Sequence, residues 1–405
     1  MKTKKEIAHE NLGIPQKKKI ILSIDGGGMR GILTVQLLKK LEEIAGSPCY
    51  EWCDMVAGTS TGAIISGLIL KRNDAKKIEE YYVSLVSRVF TKRNFLANRY
   101  YNPPAFDKKN YRNLLKQIIG DDTLGELNQK SNLDCFFTSK DLSAGEETFF
   151  TCVNINGVSN GTYKSVLLRS VLEATMSAPT YFSPFERFVD GGTTTYNNPA
   201  MTAVLEALTY TGKDKYKAEE MVVLSFGTGT TLRFMDPLKT DSPKGLDALF
   251  WLNYVMEETS KDASEMQIDL LRSGLIKNLD LRRYQISLDT TSIQKLSNKS
   301  IKHIPNLEAD SLYELDDHVL SNIEMDDVSK FPLMKVIGEA MAEFICPIEE
   351  KELAITKRKG NWFTTDFIDP VTKRGILVTA HGSDHIQEIK LHLSNKDWID
   401  HQPTA

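Results

Sequence analysis

Short apolar segments alternate with glycine-rich turns and helical patterns in the first part of the chain. Lys19 to Ile24 is apolar and β-branched, which predicts a buried strand running into a glycine-rich segment at residues 25–31. From Ile32 to Ala45 the apolar positions recur at helical spacing. A second apolar stretch, residues 52–57, leads into another glycine turn and then a helical run at residues 63–70. The repeated order of strand, turn and helix predicts a parallel sheet covered by helices.

Apolar patterns of both kinds continue further along the chain. Additional strands are predicted at residues 133–138, 148–153, 188–190, 221–226 and 281–288. Additional helices are predicted at residues 74–90, 107–119 and 171–176, the last with Ser170 as its N-cap. Residues 242–344 are mainly helical and charged. These patterns favour an α/β fold.

The two ends of the chain differ in character from this central part. Residues 1–16 are rich in lysine and predict a flexible tail, with weak attraction to an anionic membrane surface as the alternative. After Cys346-Pro347, polar and apolar residues alternate around a turn signal at Asp369-Pro370, which predicts a small β-rich appendage. The predicted organisation is a tail at residues 1–16, an α/β domain at residues 17–345 and an appendage of unknown role at residues 346–405.

Charge and hydrophobicity narrow the classes of function. The chain has 405 residues and a formal net charge of −4, whereas a nucleic-acid binder normally shows a basic face, so no nucleic-acid partner is expected. The basic start is not followed by an apolar stretch, which argues against a signal peptide. The longest apolar segment, residues 63–70, is too short to span a bilayer. We therefore expect a soluble, cytoplasmic protein that meets membranes only at their surface.

The five cysteines indicate neither a disulfide framework nor a metal site. Their odd number in a long chain argues against paired bridges. Cys49 and Cys53 are not followed by a second Cys or His pair, so we interpret them as semi-buried thiols and not as half of a zinc site. The chain also contains no D-x-D-x-D-G calcium loop and no H-E-x-x-H sequence.

Gly58-Thr59-Ser60-Thr61-Gly62 matches the nucleophile-elbow pattern G-x-S-x-G. In such an elbow the serine occupies a strained turn between strand and helix, and the flanking glycines let the backbone pack tightly enough to expose the hydroxyl. The apolar strand before this pentapeptide and the apolar helix after it favour the elbow over an ordinary tight turn. Ser60 is the predicted nucleophile.

The positions of the seven histidines bear on which group could activate Ser60. None lies between His9 and His303, the region that holds the α/β core. His381 and His385 come late enough to serve an ordinary α/β-hydrolase, but they lie in the predicted appendage. Asp190 follows a predicted strand and precedes two glycines, so a carboxylate base at this position is the favoured hypothesis and a late histidine the alternative.

The segment from Gly26 to Gly31 fits G-x-G-x-x-G, the pattern of a dinucleotide-binding loop. A dinucleotide site also requires an acidic residue at the end of the second strand. Glu42 and Glu43 are near the right distance but fall inside a helical pattern. The other use of such a loop is to present backbone N–H groups to an oxyanion, and the nearby serine elbow favours that use.

Together these segments resemble the patatin-like phospholipases. The resemblance rests on six motifs in order: Asp25-Gly26-Gly27-Gly28-Met29-Arg30-Gly31, Gly58-Thr59-Ser60-Thr61-Gly62, Ala174-Thr175-Met176-Ser177-Ala178-Pro179-Thr180-Tyr181-Phe182, Asp190-Gly191-Gly192, Asn197-Asn198-Pro199-Ala200 and Leu224-Ser225-Phe226-Gly227-Thr228-Gly229. It runs from about Lys17 to Phe344, and residues after Cys346 match no pattern that we recognise.

The resemblance implies a three-layer patatin-like α/β fold, with a mostly parallel central sheet flanked by helices, and hydrolysis of acyl esters in phospholipids or galactolipids at a membrane surface. It implies a Ser60–Asp190 dyad without histidine, an oxyanion hole formed by the amides of Gly27 and Gly28, and no metal or cofactor. The residues that it implies as supporting groups are Gly26, Arg30, Gly31, Gly58, Gly62, Gly191 and Gly192.

Two further functions remain open beside a constitutive phospholipase. One is a membrane-degrading effector of the same chemistry, switched on by a small molecule or a protein; residues 242–344 and the appendage are where such regulation could reside. The other is a non-catalytic lipid-binding or storage protein of the same fold. Head-group preference and oligomeric state are not readable from the sequence.

Overall fold

The structure is a computed structural model that describes residues 2–89, 106, 108–152, 162–209, 215–231, 248–277, 279–343 and 345. Its helices are α1 (Lys4–Asn11), α2 (Ile32–Ala45), α3 (Thr61–Leu70), α4 (Ala75–Val89), α5 (Lys108–Ile118), α6 (Leu124–Ser131), α7 (Leu168–Thr175), α8 (Ala200–Thr209), α9 (Ala248–Arg272), α10 (Thr290–Ile293), α11 (Asp317–Ser321) and α12 (Phe331–Ala342). Its strands are β1 (Lys19–Ile24), β2 (Met55–Gly58), β3 (Asp134–Asp141), β4 (Glu146–Thr151), β5 (Phe188–Asp190), β6 (Met221–Phe226) and β7 (Asp280–Tyr284).

The strands form one mostly parallel sheet. Its order is β4-β3-β2-β1-β6-β7, and β5 also pairs with β3. The pairs β1–β2, β1–β6, β2–β3 and β6–β7 are parallel, whereas β4 and β5 run antiparallel to β3. The carboxyl ends of β1, β2 and β6 therefore lie at one edge of the sheet, where open α/β folds place their functional groups.

Helices cover both faces of this sheet. Successive side chains of a strand point to opposite faces. Ile20 and Leu22 of β1 belong to a core shared with helices α1 to α7 and α12, while Ile21 packs with Val204 of α8 and Ile268 of α9 on the other face. The predicted three-layer α/β architecture with a mostly parallel sheet is confirmed.

The start of the chain differs from the predicted tail at residues 1–16. Residues Lys4 to Asn11 form helix α1, which begins with a capping box in which Thr3 and Glu6 bond each other's backbone N–H groups. Ala8 and Leu12 are buried against the core, and the Arg282 guanidinium donates to the Leu12 carbonyl oxygen at 3.2 Å. The prediction failed because these contacts come from remote parts of the chain, and the local sequence has only a weak apolar periodicity.

Most predicted elements agree with the structure. Differences occur where contacts with remote parts of the chain determine where an element begins or ends. The bounds of β1, α2 and β6 agree residue for residue. The predicted cap at Ser170 is wrong: α7 begins at Leu168, whose N–H donates to the Asp122 carbonyl oxygen at 3.0 Å, and Ser170 lies within the first turn.

Helices α6 and α8 were not predicted. The predicted appendage at residues 346–405 lies outside the described residues. No helix in the described ranges is both long and apolar enough to cross a bilayer.

Candidate active site

Ser60 lies in a strained turn between β2 and α3. Its backbone has φ 53° and ψ −123°, a combination that L residues rarely adopt. A Cβ atom added at Gly62 would come within 2.3 Å of the Ile24 carbonyl oxygen, so only glycine lets α3 start this close to β1. The half-buried Ser60 side chain is thereby placed at the N-terminal end of α3, where the helix dipole favours negative charge.

Asp190, the last residue of β5, is hydrogen-bonded to Ser60. Ser60 Oγ donates to Asp190 Oδ2 at 2.6 Å, and the Gly192 N–H donates to Asp190 Oδ1 at 2.7 Å. Asp190 is only 3% exposed, and this burial raises its pKa from 3.8 to about 7 even though both hydrogen bonds act to lower it. A carboxyl group with a pKa near neutrality, in contact with a hydroxyl, has the properties of a general base.

Strand β3 brings these two residues together. Its first half pairs with β2, where Phe137 lies opposite Gly58, and its second half pairs with β5, where Ser139 lies opposite Asp190. β5 therefore occupies the position beside β3 that β2 vacates when the chain turns at the elbow. Asp190 reaches Ser60 because β2 and β5 pair with the same side of β3.

The glycine loop after β1 lies beside the elbow and uses its N–H groups in different ways. The Gly26 N–H donates to the Asn197 carbonyl oxygen at 3.2 Å, and the Gly27 N–H donates to Thr61 Oγ1 at 3.3 Å. No acceptor for the Gly28 N–H is found among the described residues. Of the two N–H groups predicted to form the oxyanion hole, that of Gly28 is thus the one without a protein acceptor, while that of Gly27 has a long bond to a neighbouring side chain.

The glycine loop after β1 and the elbow after β2 both line one cavity of about 200 Å³. Its lining includes apolar residues, among them Met176, Ala178, Pro179, Tyr181 and Phe182. It also includes polar and charged residues, among them Arg30, Thr228, Glu258, Lys261 and Gln285. The remaining predicted supporting residues lie around the same turns: Gly26 and Gly31 follow β1, Gly58 ends β2, Gly62 lies in the first turn of α3, and Gly191 and Gly192 follow β5.

Comparison with known proteins shows what the chain is similar to. Residues 22–204 match the family model described as patatin-like phospholipase, a stretch that contains the elbow, the glycine loop and Asp190. Over this stretch the chain is similar to the patatin-like phospholipases.

Relatives from two kingdoms resemble the chain at low identity. Patatin-17 of Solanum cardiophyllum is 24% identical over 307 residues, which cover 67% of this chain and 76% of that protein. An intracellular phospholipase A2 of Caenorhabditis elegans is 27% identical over 263 residues, which cover 63% of this chain but only 23% of that protein. Among solved structures, VipD from Legionella pneumophila aligns with a TM-score of 0.32 and 14% identity, covering 60% of this chain and 55% of VipD.

The described residues give little support to a dinucleotide site, a histidine base or a metal site. Glu42, one of the two acidic residues near the distance that a dinucleotide site requires, lies within α2 and accepts the N–H groups of Cys49 and Ala75, as a structural residue would. His9, His303 and His318 are not among the residues that line the cavity. His381 and His385 lie outside the described residues. No group of three or more His, Cys, Asp or Glu side chains in the described ranges is arranged to hold a metal ion.

Several residues that contact the patatin-like dyad or its glycine loop were not singled out by sequence reasoning. The N–H of Ser60 donates to Thr175 Oγ1 at 2.9 Å, and the N–H of Asp190 donates to the Ser177 carbonyl oxygen at 3.1 Å. Beneath the glycine loop, a buried guanidinium at Arg283 bonds both carboxylate oxygens of Asp25. The signal for Thr175 and Ser177 was present in the motif Ala174 to Phe182, but the sequence did not show what this motif contacts.

Proposed function

We propose that the protein is a lipid acyl hydrolase of phospholipase A or lysophospholipase type, with Ser60 as nucleophile and Asp190 as general base. The observation that carries this proposal is the 2.6 Å hydrogen bond from the hydroxyl of a strained elbow serine to a buried carboxyl group whose pKa is near 7. The match of residues 22–204 to the patatin-like phospholipase model supports lipid esters as the substrate class. The proposed site of action is the cytoplasmic surface of a membrane, to which the protein binds peripherally.

The reaction has two half-reactions. Ser60 Oγ attacks the ester carbonyl carbon while its proton passes to Asp190 Oδ2, and the tetrahedral intermediate collapses as that proton passes to the leaving alcohol oxygen. A water molecule then attacks the acyl-enzyme, giving its proton to Asp190. Release of the fatty acid returns that proton to Ser60 Oγ, so Asp190 ends each cycle as it began.

Backbone donors stabilise the oxyanion in both half-reactions. The Gly28 N–H is the principal donor, since it has no acceptor among the described residues, and the Gly27 N–H joins it by exchanging its long bond to Thr61 for a bond to the oxyanion. The N-terminus of α3 adds a favourable field at the same place. Arg30 faces the same cavity and adds positive charge near the developing anion.

The mixed lining of the cavity fits the two parts of a lipid. Apolar residues such as Met176 and Phe182 suit an acyl chain, and polar residues such as Thr228 and Gln285 suit the glycerol and head-group end. This lining supports phospholipid or galactolipid substrates.

Removal of either dyad residue tests the proposal. We expect Ser60→Ala and Asp190→Asn each to lower kcat by about 10⁴-fold or more, because the two groups act as a unit. The measurement is mass spectrometry of fatty acids and lysolipids released from mixed liposomes, together with fluorophosphonate labelling of Ser60. Ser170→Ala and Asp121→Asn are matched controls outside the site and should retain wild-type turnover.

The outcomes separate the alternatives. Full activity in Ser60→Ala would show that the dyad is wrongly assigned, and full activity in Asp190→Asn would transfer the base to another group such as a late histidine. A wild-type protein that binds liposomes but neither releases product nor reacts with the fluorophosphonate would be a lipid-binding protein that keeps the fold.

A further inference from the structure

The last turn of α7 and the two residues after it contact both members of the dyad. The hydroxyl of Thr175 accepts the Ser60 N–H at 2.9 Å, and the carbonyl oxygen of Ser177 accepts the Asp190 N–H at 3.1 Å. Met176, between them, places its sulfur 3.5 Å from Ser60 Oγ. This clamp turn, Thr175 to Ser177, is at most 3% exposed at each residue. One short segment therefore fixes the backbones of nucleophile and base relative to each other.

A buried lysine contacts the clamp turn through the side chain of Ser177. Lys108, at the start of α5, is 6% exposed, and its ammonium donates to Ser177 Oγ at 2.6 Å. The Ser177 hydroxyl in turn donates to the Glu173 carbonyl oxygen at 2.6 Å. Ser177 thus bonds the dyad through its backbone and Lys108 through its side chain.

The charge of Lys108 is balanced within the same cluster. Its ammonium lies 3.5 Å from Glu173 Oε1, and it faces the Phe185 ring at 5.9 Å. Glu173 also pairs with Arg112, whose guanidinium is 2.6 Å from the same oxygen but makes no bond to Ser177. Burial lowers the pKa of Lys108 to about 8, so placing an ammonium here is unfavourable in itself. Arg112 already neutralises Glu173, which leaves the contact to Ser177 as the distinctive role of Lys108.

We propose that Lys108 is a positioning residue for the dyad, which acts through Ser177 to hold the clamp turn at the distance that keeps Ser60 Oγ and Asp190 in contact. The proposal rests on the proposed dyad chemistry. Its physical basis is that small displacements of reacting groups are costly: a shift of about 1 Å can lower a rate by about 10²-fold. Lys108 itself does not touch the reacting atoms.

Kinetics of Lys108→Met test this role, with Arg112→Met as the matched control. Each variant removes from α5 a positive charge that pairs with Glu173, but only Lys108→Met removes a contact to the clamp turn. We expect Lys108→Met to lower kcat and the rate of fluorophosphonate labelling of Ser60 by about tenfold or more, with KM within about threefold of wild type. Arg112→Met should keep kcat within about threefold of wild type, although its melting temperature falls.

A double-mutant cycle identifies the path of the effect. Ser177→Ala removes only the hydroxyl that accepts from Lys108, so we expect it to lower kcat by a similar factor, and the double variant Lys108→Met/Ser177→Ala to be no slower than the slower single variant. Ser177→Ala also keeps the test decisive if Lys108→Met does not fold.

Three outcomes would overturn the positioning role. They are wild-type kcat in folded Lys108→Met or Ser177→Ala, equal losses of kcat in Lys108→Met and Arg112→Met, and multiplication of the two single effects in the double variant. Failure of the proposed function itself would look different, because the wild-type protein would then neither turn over lipid nor label at Ser60.

Discussion

The turn after β1 and the turn after β2 leave neighbouring parallel strands at the same edge of the sheet, and each leads into a buried helix. The second turn is short: Thr59 and Ser60 alone connect β2 to α3. The first turn is longer and contains four glycines and a single 3₁₀ turn before α2 begins. Residues of both turns line the cavity, with the Ser60 side chain from the short turn and glycine backbone from the long turn.

Different contacts stabilise the two turns. The elbow is held where α3 starts against the end of β1 near Gly62, and where the Ser60 N–H donates to Thr175 Oγ1 at 2.9 Å. The glycine loop is held by other remote segments: the Met29 N–H donates to the Met325 carbonyl oxygen at 2.8 Å, and the Tyr82 hydroxyl donates to the Gly28 carbonyl oxygen at 2.5 Å. The comparison teaches that the strained non-glycine backbone belongs to the elbow, while both turns depend on contacts from distant parts of the chain.

The largest effect is expected from closing the space at the elbow with Gly62→Ala. The new Cβ would lie 2.3 Å from the Ile24 carbonyl oxygen and 2.6 Å from that of Asp25, so α3 must move away from β1. We expect kcat to fall by more than about 10³-fold and the free energy of unfolding by about 3 kcal/mol. Liposome turnover and denaturant unfolding measure the two effects.

Gly67→Ala is the control within the same helix. Its added Cβ would meet only the Leu168 and Leu172 side chains at 3.4 Å, an ordinary contact, and alanine is the better helix former by about 1 kcal/mol. Equal behaviour of the two variants would show that the elbow does not depend on the close approach at Gly62.

A smaller effect is expected in the glycine loop from Gly28→Ala. This residue has φ +57°, and an added Cβ would lie 2.2 Å from the Met325 carbonyl oxygen, so the loop must shift together with its N–H groups. We expect kcat to fall by about 10²-fold, near the loss of one oxyanion donor, with KM little changed.

Gly145→Ala is the control for Gly28→Ala, because it adds a side chain at positive φ without displacing the glycine loop. Gly145 has φ +71° in the turn between β3 and β4 but has nothing within 4 Å of an added Cβ. We expect a loss of about 1 kcal/mol of stability there and unchanged kcat. An unchanged kcat in Gly28→Ala would contradict the assignment of this loop as the oxyanion hole.

The smallest effect is a pH dependence of the rate of ester hydrolysis at Ser60, which the pKa of Asp190 should set. The base must be ionised, and its pKa is raised to about 7, so kcat/KM should rise about tenfold per pH unit below that value and level off above it. The wild-type free energy of unfolding should fall relative to Asp190→Asn as pH rises from 3.8 towards 7, because the folded state holds the proton that the unfolded state has lost. A profile that levels off near pH 4 would show that the pKa of the base is not raised by burial.

Local sequence determined the elements that need only local information. Apolar periodicity and glycine turns predicted β1, α2 and β6 to the residue, because strand alternation, helical spacing and turn chemistry act over a few neighbouring positions. The same reasoning predicted Ser60 as nucleophile from the elbow pattern. The absence of histidine between residues 9 and 303 then favoured Asp190 as its partner.

Tertiary structure alone decided how these residues meet. Ser60 and Asp190 are 130 positions apart, and their contact depends on β2 and β5 sharing one edge of β3, a pairing that no local pattern specifies. The raised pKa of Asp190 also comes from burial by remote elements, which is why the sequence could name the carboxylate but not its basicity. For the same reason the contacts of the clamp turn and Lys108, and the docking of α1, became visible only in the folded chain.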